Sequence, residues 1–376
     1  MRNNSKHFPF HLIEKISSYT YLAWLKSINK YVVLDYTILN LIKKKPSLNY
    51  KDFLNEIINV LDISTVSAEK INNDISDLLL ESNLIQPDNK LNNSYPLKDC
   101  PIDHFYSFNG IIVKVSYDCI DTRTLIHPKY THLEIKSVKK FDSHYKVFNN
   151  SIKLVIFKNG ELVGSWSKNE LHEFQGKFSM EFLCSSYNKT EHDWMGVFHA
   201  STISKNNSSI MFTGDSGNGK STLVSILMAN DYNIIADDFT PILRTDMKTY
   251  CFPTAISIKE KSFDLIESLH PETKDFDQYY INEIKGNVKY LPPATSQTSA
   301  NCNSVVWVKY GKELDNKLEK ISTENALQKF LPDAWISNHE INAKAFMKWV
   351  SNTNFYELKY SDNKKLISLV DSLFLD

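Results

Sequence analysis

Arginine is nearly missing from this sequence. Arg2, Arg123 and Arg244 are the only three among 376 residues, and lysine supplies the rest of the 43 basic side chains. A planar guanidinium clamp on a phosphate must therefore use Arg123 or Arg244, or come from another subunit. Cysteine is sparse and scattered: Cys100, Cys119, Cys184, Cys251 and Cys302 show no paired metal-ligand spacing. An odd number in a large chain argues against a disulfide framework and for free thiols in a reducing cytosol. No run of about 18 apolar residues occurs, so no membrane-spanning helix is expected. The start, Met1-Arg-Asn-Asn-Ser-Lys, has no apolar export segment after it, and a cytoplasmic location is expected. Net charge is only −1, which excludes broad electrostatic attraction to nucleic acid or membrane. With 42% hydrophobic and 23% charged residues, the chain reads as an ordinary globular protein long enough for two domains.

Glycine is also scarce, at ten, yet three of the ten fall within six positions: Gly214, Gly217 and Gly219. They belong to Gly214-Asp215-Ser216-Gly217-Asn218-Gly219-Lys220-Ser221, which fits G-x-x-x-x-G-K-[ST] at every position. Ser209 to Thr213 reads as a buried strand before it. Ser221 to Ala229 reads as a helix after it, with Leu223, Ile226 and Leu227 on one face. Glycines let the backbone turn its N–H groups toward an anion, and the new helix adds its positive end. Lys220 supplies a point charge for β/γ-phosphates and Ser221 a hydroxyl for magnesium, with Thr222 completing the loop. A nucleoside triphosphate site at residues 214 to 222, with ATP and Mg2+ as cofactors, is the expectation.

The strand-like Asn233-Ile-Ile-Ala236 ends in Asp237-Asp238, 17 positions after Lys220. One helix and one turn fit that interval, which predicts a sheet neighbour of the strand feeding the loop. Its carboxylates would then emerge beside the phosphates. One would hold magnesium and the other accept a proton from an attacking hydroxyl.

Elsewhere the pattern predicts two units. Residues 1–90 read as strands near Phe8 to Ile16, Tyr19 to Leu25 and Lys30 to Asp35. Three helices follow, the first capped by Asp35: a winged-helix-like module. Its last helix carries Glu69, Asp74, Asp77 and Glu81 against Lys70, the wrong sign for a DNA groove, so no DNA partner is expected. Asn89 to Pro101 is turn-rich and reads as the linker. From Phe105 to about Leu183 the chain reads as strand-rich, with Asn159-Gly160 a two-residue hairpin signal. The fold class expected is α+β or α/β, with a P-loop domain over residues 91–376.

Phe198-His199-Ala200, the phosphate loop and Ala236-Asp237-Asp238 together resemble the HPr kinase/phosphorylase superfamily, whose fold is phosphoenolpyruvate-carboxykinase-like. The resemblance runs from about Pro101 to the end and implies a kinase acting on serine hydroxyls. It implies Asp237 as general base, Asp238 as its metal-side partner, His199 near the transferred phosphate, and a homo-oligomer. The family's Glu-x-Arg-Gly-x-Gly signature is absent here. In its region stands Cys251-Phe-Pro-Thr-Ala-Ile-Ser-Ile-Lys-Glu260, where Glu260 takes the place of a metal carboxylate and Lys259 that of a phosphate contact. That segment resembles the divergent HPr-kinase-like proteins encoded beside peptide-modifying enzymes. The first unit resembles the PqqD-like leader-peptide clamp, or RiPP recognition element, which binds an extended leader by strand addition. The combined expectation is an ATP-dependent kinase for a serine or threonine of a ribosomally made precursor peptide, held through its leader by residues 1–90. A kinase of small molecules such as serine, an HPr-type protein kinase, and a nucleotide-dependent winged-helix regulator are the alternatives.

Overall fold

The computed structural model describes residues 8–84, 95, 98–150, 152–283 and 286–375. Most of the expected linker, and the boundary near residue 90, lie outside the described residues. Within them the architecture is mixed α/β with four sheets.

The first unit opens with β1 (Leu12–Lys15), β2 (Thr20–Leu25) and β3 (Lys30–Asp35), an antiparallel sheet in sequence order. The helices α1 (Tyr36–Lys44), α2 (Tyr50–Leu61) and α3 (Thr65–Glu81) follow. Each begins on a capping side chain: Asp35 accepts from the Ile38 N–H, Asn49 from Asp52, and Ser64 from Ser67. Strand β2 is buried on both faces. Ala23 and Leu25 pack with Leu39, Ile42, Phe53 and Ile57 of the helices. The alternate residues, Leu22 and Trp24, join a second core with Leu327, Phe346 and Trp349 near the other end of the chain. Asn29, in the left-handed region at φ 50°, accepts from the Trp24 indole at 2.9 Å and donates to the Ile336 carbonyl at 2.7 Å. The sheet of the first unit is thus a middle layer. Trp24→Ala is expected to cost about 3–5 kcal/mol and to lower the melting of the entire chain, which calorimetry would read as one shifted transition.

The second stretch comprises β4 (Ile102–Phe108), β5 (Ile111–Tyr117), α4 (Ile120–Thr124), β6 (Glu134–Ile135), β7 (Ser143–Asn149), β8 (Lys153–Lys158), β9 (Glu161–Ser167) and α5 (Leu171–Tyr187). The strands form a six-stranded sheet in the order β6-β4-β5-β7-β8-β9. Asn159 and Gly160 adopt φ of 52° and 91° between the paired Lys158 and Glu161, the expected two-residue turn. The strand-rich reading to Leu183 needs correction, because its last part is the 17-residue helix α5. Ser167 and Glu170 form a capping box at its entry, and Phe174, Phe178 and Phe182 recur every four residues to cover the sheet.

The third stretch contains β10 (Trp194–Phe198), β11 (Ser201–Lys205), β12 (Ser208–Thr213), α6 (Lys220–Met228), β13 (Asn233–Ala236), β14 (Thr240–Leu243), β15 (Lys248–Tyr250), β16 (Ile256–Lys259), α7 (Phe263–Leu269), β17 (Tyr279–Asn282) and β18 (Gly286–Leu291). It continues through β19 (Ser299–Tyr310), β20 (Lys317–Lys320), α8 (Thr323–Phe330), β21 (Ala334–Ile336), α9 (Glu340–Ser351), β22 (Asn354–Tyr360) and α10 (Asn363–Ser372). A ten-stranded mixed sheet runs β13-β11-β12-β19-β15-β14-β10-β21, with β22 beside the upper half of β19 and β20 beside β22. β12, β19 and β22 are mutually parallel.

The expectation that the strand before Asp237 neighbours the strand before the loop is overturned: β11 lies between β12 and β13. Asn206 and Asn207, with φ of 50° and 64°, join β11 to β12 in a two-residue turn. Both residues tolerate positive φ, so the tight hairpin takes that edge of β12 and leaves β13 one place further out. Among the described residues no helix is long and apolar enough to cross a membrane, and all five cysteines are free thiols.

Candidate active site

The phosphate loop leaves the carboxyl end of β12, where β12, β19 and β22 finish together. That edge of a parallel array is where open α/β sheets bind ligands. Two glycines there have physical reasons. Gly214 sits at φ 150°, and a Cβ on it would lie 2.8 Å from the Val308 carbonyl oxygen of β19. Gly219 caps α6 at φ 85°, and its Cβ would meet the Tyr360 hydroxyl at 3.4 Å and Tyr310 at 3.5 Å. The backbone of the loop therefore packs against the strand ends: close approach to β19 excludes a side chain at Gly214, and the left-handed φ disfavours one at Gly219. Gly214→Ala is expected to weaken nucleotide binding by about 1–3 kcal/mol through displacement of the loop, which titration calorimetry with ATP and magnesium would measure.

Lys220 is buried and its Nζ donates to the Gly214 carbonyl oxygen at 2.7 Å, so the ammonium is folded across the loop it belongs to. Asn218 Nδ2 donates to the Asp215 carboxylate at 3.4 Å, and Thr222 shares a hydroxyl contact of 2.9 Å with Ser262. Ser216 and Gly217 complete the turn, the latter at φ 96°. Arg123 lies in α4 and Arg244 follows β14, and neither donates a hydrogen bond to the loop among the described residues.

Asp237 is the best-held polar side chain of the site. It is 4% exposed and accepts from the Ser201 hydroxyl at 2.5 Å, the Ser221 hydroxyl at 3.1 Å on both oxygens, and the Ser257 backbone N–H at 3.2 Å. Burial first, and the neighbouring Asp238 second, push its carboxyl up to about 7, against the pull of those donors. Asp238 takes a left-handed φ of 62°, which turns its side chain away from the strand and leaves it more than a third exposed. His199, in the turn between β10 and β11, brings Nε2 to 3.8 Å from Asp238 Oδ1. Ser221 thus meets Asp237, and His199 approaches Asp238, at the end of β13, while the Lys220 ammonium is held within the loop by Gly214.

Glu260 is exposed in the turn after β16, where its Oε2 accepts from the Asn287 amide at 3.3 Å. The turn itself reaches the loop through Ser262 and Thr222. Sequence reasoning missed Ser201, Ser257 and Ser262. A serine at a strand start carries no signature, because its partner is chosen by sheet register. The donor set fits a magnesium nucleotide: a loop of turned backbone, a lysine, a serine hydroxyl and an oxygen-rich carboxylate pair.

No family model matches the chain, and no curated protein matches it. Among solved structures, the Hpr(Ser) kinase/phosphatase from Coxiella burnetii is similar over 48% of this chain and 96% of its own, at 12% identity and a TM-score of 0.24, a likeness too slight to carry an argument.

Proposed function

We propose that this chain is an ATP- and magnesium-dependent kinase that phosphorylates a serine or threonine hydroxyl of a ribosomally made precursor peptide. The observation that carries the phosphoryl-transfer reading is the convergence of Ser221 and Asp237, at 3.1 Å, beside a complete phosphate loop with Lys220. The loop amides from Gly214 to Thr222 and Lys220 would hold the phosphates. Ser221 and one aspartate would hold magnesium, whose charge offsets that of the transferring group. The acceptor oxygen bonds to the γ-phosphorus as the bond to the β–γ bridging oxygen breaks, and the hydroxyl proton passes to the other aspartate.

The resemblance makes Asp237 the base and Asp238 its metal-side partner. The contact with Ser221 favours the exchange of those roles. Asp237 is bonded to the Ser221 hydroxyl and closed to solvent, while Asp238, with His199 beside it, is more than a third exposed and would be open to a substrate. Asp238→Asn is then expected to lower turnover at unchanged magnesium affinity, and Asp237→Asn to weaken magnesium affinity; a magnesium titration of each variant separates the two assignments.

The peptide acceptor rests on the first unit. Strand β3 ends the sheet opposite β1, and Lys30 at its start pairs with Glu81 at the end of α3 at 2.6 Å, so edge and helix lie side by side. An extended leader could add along that edge, and tethering it there would raise the local concentration of its core hydroxyl at the kinase site. Because the other face of this sheet shares a core with α8 and α9, deleting residues 1–90 would uncover Phe346 and Trp349. The clamp is better tested by proline substitution at Val33, whose N–H lies on the open side of β3, whereas Val32 belongs to a hydrogen-bonded pair with Ala23 of β2. Incubating the intact chain with ATP, magnesium and precursor peptides is the decisive experiment. A gain of about 80 daltons, one phosphoryl group, is expected on a full precursor. No gain on any peptide, with ADP formed from free serine or a similar metabolite, leaves the small-molecule kinase.

A further inference from the structure

A second cluster of ionisable side chains lies outside this site. In β4, His104 and Tyr106 are two residues apart and share a face. The short strand β6 pairs with β4 so that Glu134 stands opposite Tyr106. His127, buried at 4% exposure in the turn His127–Lys129, completes the group, its ring centroid 4.0 Å from that of His104. The Glu134 carboxylate serves both rings: Oε1 is 2.6 Å from His104 Nδ1, and Oε2 is 4.0 Å from His127 Nε2. The Tyr106 hydroxyl, 2.8 Å from His127 Nδ1, occupies that nitrogen and leaves Nε2 as the one directed at the carboxylate. One donor atom from each of the three residues lies within 4.8 Å of the other two.

We infer that His104, His127 and Glu134 bind a divalent first-row transition ion, with zinc as the reference ion. Two imidazoles and one carboxylate are a donor set that zinc accepts with a fourth position left to water. Tetrahedral ligands at about 2.1 Å stand about 3.4 Å apart, so the 2.6 Å contact of His104 with Glu134 must open and the 4.0 Å contact of His127 with Glu134 must close, both within the reach of χ rotation at the more exposed Glu134. A buried ligand imidazole usually has its second nitrogen held by a polar partner, and the Tyr106 hydroxyl fills that role for His127. Arg123 is the other charged group facing His127, and the carboxylate of Glu134 offsets its repulsion of a cation. Magnesium is disfavoured here, because it prefers an all-oxygen octahedron.

The position gives the ion a structural consequence. The segment after His127 braces the approach to the kinase site: Ala255 N–H donates to the Lys129 carbonyl at 2.9 Å, and His132 Nε2 contacts the Pro253 carbonyl at 2.7 Å. Two residues beyond Ala255, the Ser257 N–H holds Asp237. An ion tying His127 to β4 and β6 would stiffen that brace.

The test uses the full untagged chain, stripped with a chelator and titrated with zinc in excess magnesium. One tightly held zinc per chain is expected, with a rise in melting temperature that the double variant His104→Gln/Glu134→Gln no longer shows. Tyr106→Phe, which keeps all three ligands, is expected to weaken zinc about 10–100-fold and remains informative if the double variant fails to fold. Cobalt in place of zinc should give visible absorption bands that depend on the same residues. Absence of tight zinc, or an equal zinc content in both variants and the parent, overturns the inference. The equal-content result would place the ion on another pair such as His192 and His339, whose ring centroids are also 4.0 Å apart.

Discussion

Asp237→Asn is expected to raise the melting temperature of the nucleotide-free protein by several degrees at about pH 8 while abolishing phosphoryl transfer. The carboxyl is closed to solvent and its pKa stands at about 7 against an ordinary 3.8. Below about pH 4 it is protonated in both folded and unfolded chains, and no penalty exists. As pH rises toward 7 the unfolded chain ionises while the folded one keeps its proton, so folding loses stability across that window. Above it the penalty is complete and amounts to a few kcal/mol in order of magnitude. Asparagine keeps one acceptor oxygen, enough for the Ser201 and Ser221 hydroxyls on Oδ1, and carries no buried charge; its amide nitrogen then stands against the Ser257 N–H, a loss of about 1–3 kcal/mol that offsets part of the gain. The gain should therefore shrink as pH falls and vanish near about pH 4, which calorimetric scans across pH would show. A variant less stable than the parent at about pH 8 would sink the claim that burial governs this carboxyl. In the proposed reaction that anion would hold magnesium, so the burial that destabilises the fold would serve binding.

Lys220→Ala should have the largest effect on turnover. The Nζ of Lys220 is buried, has the Gly214 carbonyl oxygen as its partner at 2.7 Å, and lies across the loop that would receive the phosphates. When phosphate enters, the ammonium can exchange that carbonyl for β- and γ-oxygens, where charge builds during transfer. Loss of one such preorganised donor costs about 10²–10³ in rate, and a full charge should cost at least that. Lys220→Arg is not expected to restore activity, because a planar fork does not fit a cradle built for a compact ammonium. Folding should survive, since the vacated partner is one backbone carbonyl, worth about 1–3 kcal/mol if left unpaired. The peptide mass assay, with circular dichroism as a folding control, reads both effects. Phosphorylation within tenfold of the parent would remove the loop from the chemistry.

Much of the candidate site was legible because its parts are local. The glycines, Lys220 and Ser221 occupy one turn and the first residues of α6. Asp35 was readable as a cap because its partner is three residues away. The Asn159-Gly160 turn declares its own positive φ values. The misreadings were of two kinds. The strand-rich reading carries past the hairpin into α5, although Phe174, Phe178 and Phe182 at four-residue spacing mark one face of a helix. The place of β13 was misjudged because the interval after Lys220 limits distance without choosing a neighbour, and the Asn206-Asn207 turn, itself a readable signal, settles which strand lies next to β12.

By itself the sequence determined the phosphate loop, the carboxylate pair that follows it, and the order of three strands and three helices at the start. Those depend on turn chemistry and on periodicity between near neighbours, interactions that survive in a short peptide window. Tertiary structure alone decided that Ser201 and the Ser257 N–H hold Asp237, that both faces of β2 are buried, and that His104, His127 and Glu134 meet around one carboxylate. These contacts join residues tens of positions apart. Their pairing is set by sheet register and by the packing of whole layers, which no local window contains.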